Sequence, residues 1–139
     1  MKIGFTCGVF DLFHAGHVLM LKECRAHCDH LIVALNRAEN FSEQVNPGKQ
    51  PPLFSIEERK IIMASCRYVD EVLEYGSEEE LLNILTSKKI GIRFLGDDYR
   101  GKPITGAGLD VELYYTNRSH GLSTSLYKAR LSEILKKSI

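Results

Sequence analysis

"KIGFTCGVFDLFHAGHVLMLKECRAHCDHLIVAL", residues 2–35, decides the fold. It opens on a short apolar run, "KIGFT" (2–6), and passes through a glycine-led turn. It continues as "HVLMLKECRAH" (17–27), with apolar residues at helical spacing, and closes on a second apolar run, "LIVAL" (31–35). Runs of branched and aromatic residues bounded by breakers read as strands, and the 3.6-residue period between them reads as a helix. Strand, helix and strand in that order make a parallel β-α-β unit, whose crossover is right-handed.

The rest of the chain repeats the alternation. "EVLEY" (71–75), "IRFLG" (92–96) and "VELYY" (111–115) add strands, for five in all. "SIEERKIIMASC" (55–66) opens with Ser55 and Glu58, and "SEEELLNILTS" (77–87) opens with Ser77 and Glu80, both in capping-box spacing. The tail "STSLYKARLSEILKK" (123–137) begins in hydroxyl residues and ends in lysines, which suits the dipole of a last helix. The expectation is a single Rossmann-like α/β domain over 1–139, three layers built on a five-stranded parallel sheet.

Composition narrows the function. Hydrophobic residues make up 44% and charged residues 26% of the 139, as in a globular protein, with no apolar run long enough to span a bilayer. "KIGFT" lacks the charged start and cleavage site of a signal peptide, so a cytoplasmic location and no membrane partner are expected. Lys plus Arg equals Asp plus Glu at 18 each, which excludes the global basic field of a non-specific nucleic-acid binder. Any bound anion must be held locally. Cys7, Cys24, Cys28 and Cys66 form no C-x-x-C pair and are read as reduced core or surface residues. Cys24, His27, Cys28 and His30 are close enough to suggest zinc, but His30 begins a strand and no second ligand pair follows.

In an open parallel sheet a ligand sits beyond the carboxyl ends of the strands. Gly8 to His17, the loop 36–54, Gly96 to Gly101 and Arg118 to Thr124 all follow strands and converge there. His14 and His17 are about one turn apart at the mouth of a helix, so both imidazoles can face one anionic ligand beside the free N–H groups of the helix start. Gly8 allows close backbone approach, and Gly16 keeps room between the histidines. Asp11 suits orienting the turn better than acting as a base. Arg118 suits bidentate phosphate contact, and Ser123, Thr124 and Ser125 open the last helix with hydroxyls. Asp97 and Asp98 follow the fourth strand, where carboxylates can accept from ribose or base.

"GVFDLFHAGH" (8–17) resembles the H-x-G-H signature of the cytidylyltransferases, and "RSHGLSTS" (118–125) is similar to their R-T-x-G-I-S-T-[ST] signature. "YVDEV" (68–72) and "GDDYRGK" (96–102) add to the likeness, which spans nearly the whole chain. The compact glycerol-3-phosphate cytidylyltransferases are the most similar members in length and in the G-D-D stretch. The resemblance implies transfer of CMP from CTP, with Mg²⁺ accompanying the nucleotide, to sn-glycerol 3-phosphate, giving CDP-glycerol and pyrophosphate. It implies catalytic roles for His14, His17, Lys49 and Arg118, with Lys49 as a lid in the loop "NPGKQPP" (46–52). It implies nucleotide binding by Gly8, Phe10, Asp11, Gly16, Arg67, Asp97, Asp98, Ser119, Gly121, Ser123 and Thr124, no resident metal, and a homodimer. A helix-end ion pair is the alternative reading of Arg67 with Asp70. Ala15, Tyr99 and the pair Ser119-His120 depart from the usual pattern and bear on the acceptor. Choline- or ethanolamine-phosphate transfer, adenylyl transfer and a non-catalytic nucleotide-binding module are the alternatives.

Overall fold

The computed structural model describes residues 1–39 and 50–138. Five strands, β1 (Ile3–Gly8), β2 (His30–Asn36), β3 (Glu71–Tyr75), β4 (Ile92–Gly96) and β5 (Glu112–Thr116), form one sheet of order β3-β2-β1-β4-β5. Every pairing is parallel. Helices α1 (Ala15–Arg25), α2 (Ile56–Ala64), α3 (Glu78–Ser87) and α4 (Thr124–Lys137) complete a three-layer Rossmann-like arrangement. The strand order reverses between β1 and β4, and a crevice opens at such a switch point.

Two apolar layers hold the sheet. On one face Leu31, Val33, Leu35, Ile92 and Phe94 pack on Leu21 and Cys24 of α1 and Met63 of α2. On the other, Phe5, Ile32, Ala34 and Tyr75 pack on Leu81 and Leu85 of α3. The period-2 alternation of β4 therefore sends Ile92 and Phe94 toward α1, and Arg93 toward the α3 side. Cys24 and Cys28 belong to the first layer, and His30 bonds Glu71 at 3.0 Å, so three of the four residues that suggest zinc have other partners.

Both serines read from the sequence cap their helices: the Ser55 and Ser77 side chains each accept a backbone N–H from the third helical residue at 3.1 Å. The Ser55–Glu58 box is complete, with the Ser55 N–H donating to Glu58 at 3.0 Å, whereas the Glu80 carboxylate accepts from the Gly76 N–H and from Arg37, so Ser77 caps α3 without the expected box. Asp70 accepts from Arg25 Nε at 2.9 Å and from the Leu31 N–H at 2.8 Å. It ties the entrances of β2 and β3, at the end of the sheet away from the crevice. Arg67 lies at that same end, exposed, with its guanidinium donating to the Tyr68 hydroxyl and stacked 5.1 Å from that ring's centroid. This corrects the expectation that Arg67 lines the nucleotide site: the turn out of α2 delivers it to the amino end of β3.

Candidate active site

A cavity of about 780 Å³ occupies the switch point. Its upper wall is made by two segments far apart in sequence, the β1–α1 turn and the segment entering α4. Thr6, Gly8, His14, Gly16 and His17 line it from the first, and Arg118, His120, Leu122, Ser123 and Thr124 from the second.

The histidines are held by the backbone they begin. His14 is the N-cap of α1 and His17 its third residue, and together they form a capping box made of imidazoles. The Gly16 N–H donates to His14 Nδ1 at 3.0 Å, and the His14 N–H donates to His17 Nδ1 at 3.2 Å. A backbone N–H only donates, so both Nδ1 atoms are acceptors and each neutral ring carries its proton on Nε2. The rings stack at 3.8 Å between centroids. Burial pushes the His17 imidazole down to about 4, with His14 and Arg118 adding to the effect and Asp11 opposing it. His14 is also lowered, by burial and then by His120. Both are neutral donors near pH 7.

The two segments meet at close range. His14 Nε2 lies 3.2 Å from Thr124 Oγ1, and the His14 ring packs against Tyr127 at 4.8 Å. A Cβ on Gly16 would come within 2.8 Å of His14 Cε1 and 3.0 Å of Leu122 Cβ, so only glycine fits there. Further down α1, Glu23 accepts from the Tyr114 hydroxyl at 2.8 Å and from the Asn117 N–H at 3.1 Å. That carboxylate fixes the exit of β5 to α1. Gly121 turns the second segment at φ +70°, and the Leu122 N–H then donates to His120 Nδ1 at 2.9 Å. His120 thus repeats the arrangement of His14, a third imidazole whose Nδ1 is satisfied by backbone.

The β1–α1 turn carries strain. Phe10 and Leu12 adopt φ of +52° and +49°, a left-handed conformation costing about 1 kcal/mol or more for a residue with a side chain. Asp11, between them and buried, accepts from the Leu53 and Phe54 N–H groups at 2.7 and 3.0 Å. Arg59, 3% exposed, donates to four carbonyls, those of Val9, Asn36, Arg37 and Phe54. A buried guanidinium spent wholly on backbone oxygens is a brace between the exits of β1 and β2. Sequence reasoning missed Arg59, which looks like one more surface charge in "EERK". The signal available was its spacing of four from Met63, the other buried residue of α2.

The remaining expected site residues are placed as follows. Gly8, His14, Gly16, His17, Arg118, Ser123 and Thr124 line the cavity together. Phe10 and Asp11 stand behind it: the Phe10 ring supports His17 at 5.3 Å, and Asp11 pins the turn. Asp98 meets Arg118 at the cavity mouth, 3.3 Å from Nη1, while Asp97 pairs with Arg100 at 3.2 Å and faces solvent. Ser119 donates its N–H to Asn117 Oδ1, and Ser119 and Gly121 shape the turn without lining the cavity. Lys49 lies outside the described residues.

The first turns of α1 and α4 hold no acidic residue, and neutral imidazole donors, a guanidinium and hydroxyls gather around them. Such a set binds phosphates and stabilises charge that develops on them.

Comparison with known proteins agrees with this chemistry. The family model described as cytidylyltransferase-like matches residues 5–130. The chain is 32% identical over 133 residues to the glycerol-3-phosphate cytidylyltransferase of Bacillus subtilis (strain 168), covering 95% of this chain and 98% of that one. It is 38% identical over 109 residues to the bifunctional protein HldE of Gluconacetobacter diazotrophicus, 77% of this chain. The chain spans only 22% and 24% of the length of two such bifunctional relatives. Among solved structures, the lipopolysaccharide core biosynthesis protein from Thermoplasma volcanium GSS1 aligns with a TM-score of 0.67 at 26% identity, over 84% of this chain and 97% of that one. The chain belongs to the cytidylyltransferase-like family.

Proposed function

We propose that this enzyme transfers CMP from CTP to a phosphate monoester, sn-glycerol 3-phosphate first among the acceptors, giving CDP-glycerol and pyrophosphate. An oxygen of the acceptor phosphate attacks the α-phosphorus. The bond from that phosphorus to the bridging oxygen breaks, and pyrophosphate leaves with the electron pair. A phosphate dianion needs no base to make it nucleophilic, so the residues have to hold charge rather than move protons.

The observation that carries the reading is the pair of neutral imidazoles with Nδ1 engaged by backbone and Nε2–H as the donor, that of His14 shared with Thr124 Oγ1 at 3.2 Å, set against Arg118, Ser123 and Thr124. His14 and His17 grip the α- and β-phosphates as charge shifts to the leaving group, each donor worth roughly 3 to 4 kcal/mol of barrier. The start of α4 takes the outer phosphates, and Arg118 is drawn from Asp98 onto them. Mg²⁺ enters as part of the nucleotide substrate, held by phosphate oxygens and water. The donors facing this end of the cavity are suited to anions rather than to caging a hard cation. Full-length coverage of the Bacillus subtilis relative supports glycerol 3-phosphate.

A pyrophosphate-release screen of CTP and ATP against glycerol 3-phosphate, phosphocholine, phosphoethanolamine and FMN tests the reading. CTP with glycerol 3-phosphate is expected to give the highest kcat/KM. A higher value for ATP reassigns the nucleotide, because the phosphate contacts read no base. Release with no pair in the screen removes the proposed reaction.

A further inference from the structure

The lower part of the cavity lies on the other face of the sheet, and its chemistry differs from the upper wall. Arg93 of β4 is 5% exposed and lines the cavity together with Cys7 and Tyr75 near the strand ends and with Tyr99, Ile104 and Thr105 of the segment that follows β4. One guanidinium nitrogen, Nη1, donates to the Thr105 carbonyl. Nε is buried without a partner, and among the described residues no carboxylate forms an ion pair with Arg93. The thiol of Cys7 lies against the guanidinium and the Tyr75 hydroxyl, and burial raises both of those acids, so neither supplies a negative charge. The carboxylate on the cavity wall, Glu39, is committed to Arg37 Nε at 2.9 Å. A buried, unpaired cation is costly unless something of opposite polarity completes it.

Depth says which part of a ligand reaches it. The Arg93 backbone pairs in register with Phe5, three residues and so about 10 Å before β1 ends at Gly8, and its guanidinium lies beside Cys7, inside the strand ends above which the histidines sit. The reacting phosphates belong at the rim. The floor therefore receives the far end of a small molecule whose phosphate is at the histidines. We propose that Arg93 is the specificity-determining residue of the acceptor subsite: it hydrogen-bonds an oxygen-bearing end, hydroxyl or carboxylate, and excludes an ammonium. This rests on the transferase reading above and narrows its acceptor. A cationic end would place like charges together in a dry pocket, whereas oxygens complete the donors that the protein leaves open.

The test compares four phosphate monoesters that differ at the far end, with CTP fixed: glycerol 3-phosphate, 3-phosphoglycerate, phosphoethanolamine and phosphocholine. In the intact enzyme kcat/KM for the better oxygen-ended ester is expected to exceed that of both ammonium-ended esters at least 100-fold. Which of the two wins tells hydroxyl from carboxylate. Arg93→Gln is expected to shrink that ratio below tenfold and to leave KM for CTP unchanged, while Arg93→Lys retains most of it. Phosphoethanolamine turned over within tenfold of the best ester, or a ratio unchanged in folded Arg93→Gln, overturns the assignment. Melting shifts separate the two layers of the argument and do not require turnover. An oxygen-ended ester that raises Tm in the intact enzyme but not in Arg93→Gln supports the subsite even if no transfer occurs. If CTP raises Tm and none of the esters does, the subsite falls. If CTP gives no shift, the transferase reading falls instead.

Discussion

Two pairs of helices in this molecule begin in opposite ways. α2 and α3 start with serine caps followed by Glu57 and Glu58, and by Glu78, Glu79 and Glu80, so side-chain carboxylates neutralise the positive end of each helix. α1 and α4 carry no acid in their first turns, and their caps and first turns line the cavity through His14, Gly16, His17, Ser123 and Thr124, whereas α3 reaches it only through Gly76 and Leu81. Both α1 and α2 have complete capping boxes, yet that of α2 is made from Ser55 and Glu58 and that of α1 from His14 and His17. The imidazole box does two jobs: Nδ1 satisfies the helix, and Nε2–H turns to the cavity, where that of His14 meets the Thr124 hydroxyl. The difference teaches where the fold keeps its positive potential open and where it closes it with its own charges.

The largest expected effect comes from breaking the α1 box. His14→Ala or His17→Ala is expected to lower kcat by about 100- to 1000-fold. His14→Ala also removes an N-cap, at about 1 kcal/mol of stability. His14→Asn separates the two roles, since asparagine caps a helix but offers no imidazole: Tm close to that of the intact enzyme with kcat still down 100-fold is the expected outcome. Restored turnover in His14→Asn would reduce the histidine to a cap.

The two boxes also differ in how acid reaches them. His17 has its ordinary value of 6.5 when unfolded and about 4 when folded, so the unfolded chain binds the proton first. Stability contributed by the neutral ring is complete above about pH 6.5 and drains away as pH falls toward 4. The loss is of order 2 to 3 kcal/mol. Glu58 in the α2 box is held below the usual carboxylate value by the Ser55 N–H and hydroxyl, so its share is lost only at lower pH. Urea midpoints measured from pH 7.5 to 4.5 are expected to fall, and His17→Asn to flatten that slope. An equal slope in the variant would assign the titration elsewhere.

The smallest effect sharpens the comparison without touching a histidine. Ser125→Glu places an acid in the first turn of α4, as α3 already has, and is expected to weaken CTP binding about five- to tenfold at low salt. Glu79→Gln on α3 is expected to leave it unchanged. Titration calorimetry on both variants checks this, and equal effects would mean that the start of α4 does not face the nucleotide.

Much of this was legible before any coordinate. The strands stand out because each is a short apolar run bounded by breakers, and the serine caps because capping is a local interaction between residues three apart. The H-x-G-H stretch is local too, which is why His14, Gly16 and His17 fall where the sequence puts them. Arg67 shows the limit: its neighbours in sequence point to the site, but the chain leaves α2 at the wrong end of β3 for it to arrive. Asp11 and Arg59 are braces, and both partners of Asp11 and three of the four carbonyls of Arg59 are more than 20 residues away, so no spacing rule announces those bonds.

Arg93 and His120 lie at the boundary between the two kinds of information. Strand alternation alone sets Arg93 on the face opposite Ile92 and Phe94. Only the tertiary structure, by carrying Thr105 and Gly106 back across that face, buries the guanidinium and leaves it without a counter-charge among the described residues. His120 reads as a departure from a motif until the turn at Gly121 brings it to the cavity wall with His14. Local sequence determined the elements, the caps and the phosphate-facing helix starts, because those depend on near neighbours. Which charges ended up buried and unpaired was decided by long-range packing, because desolvation is a property of everything that surrounds a group rather than of the residues beside it in the chain.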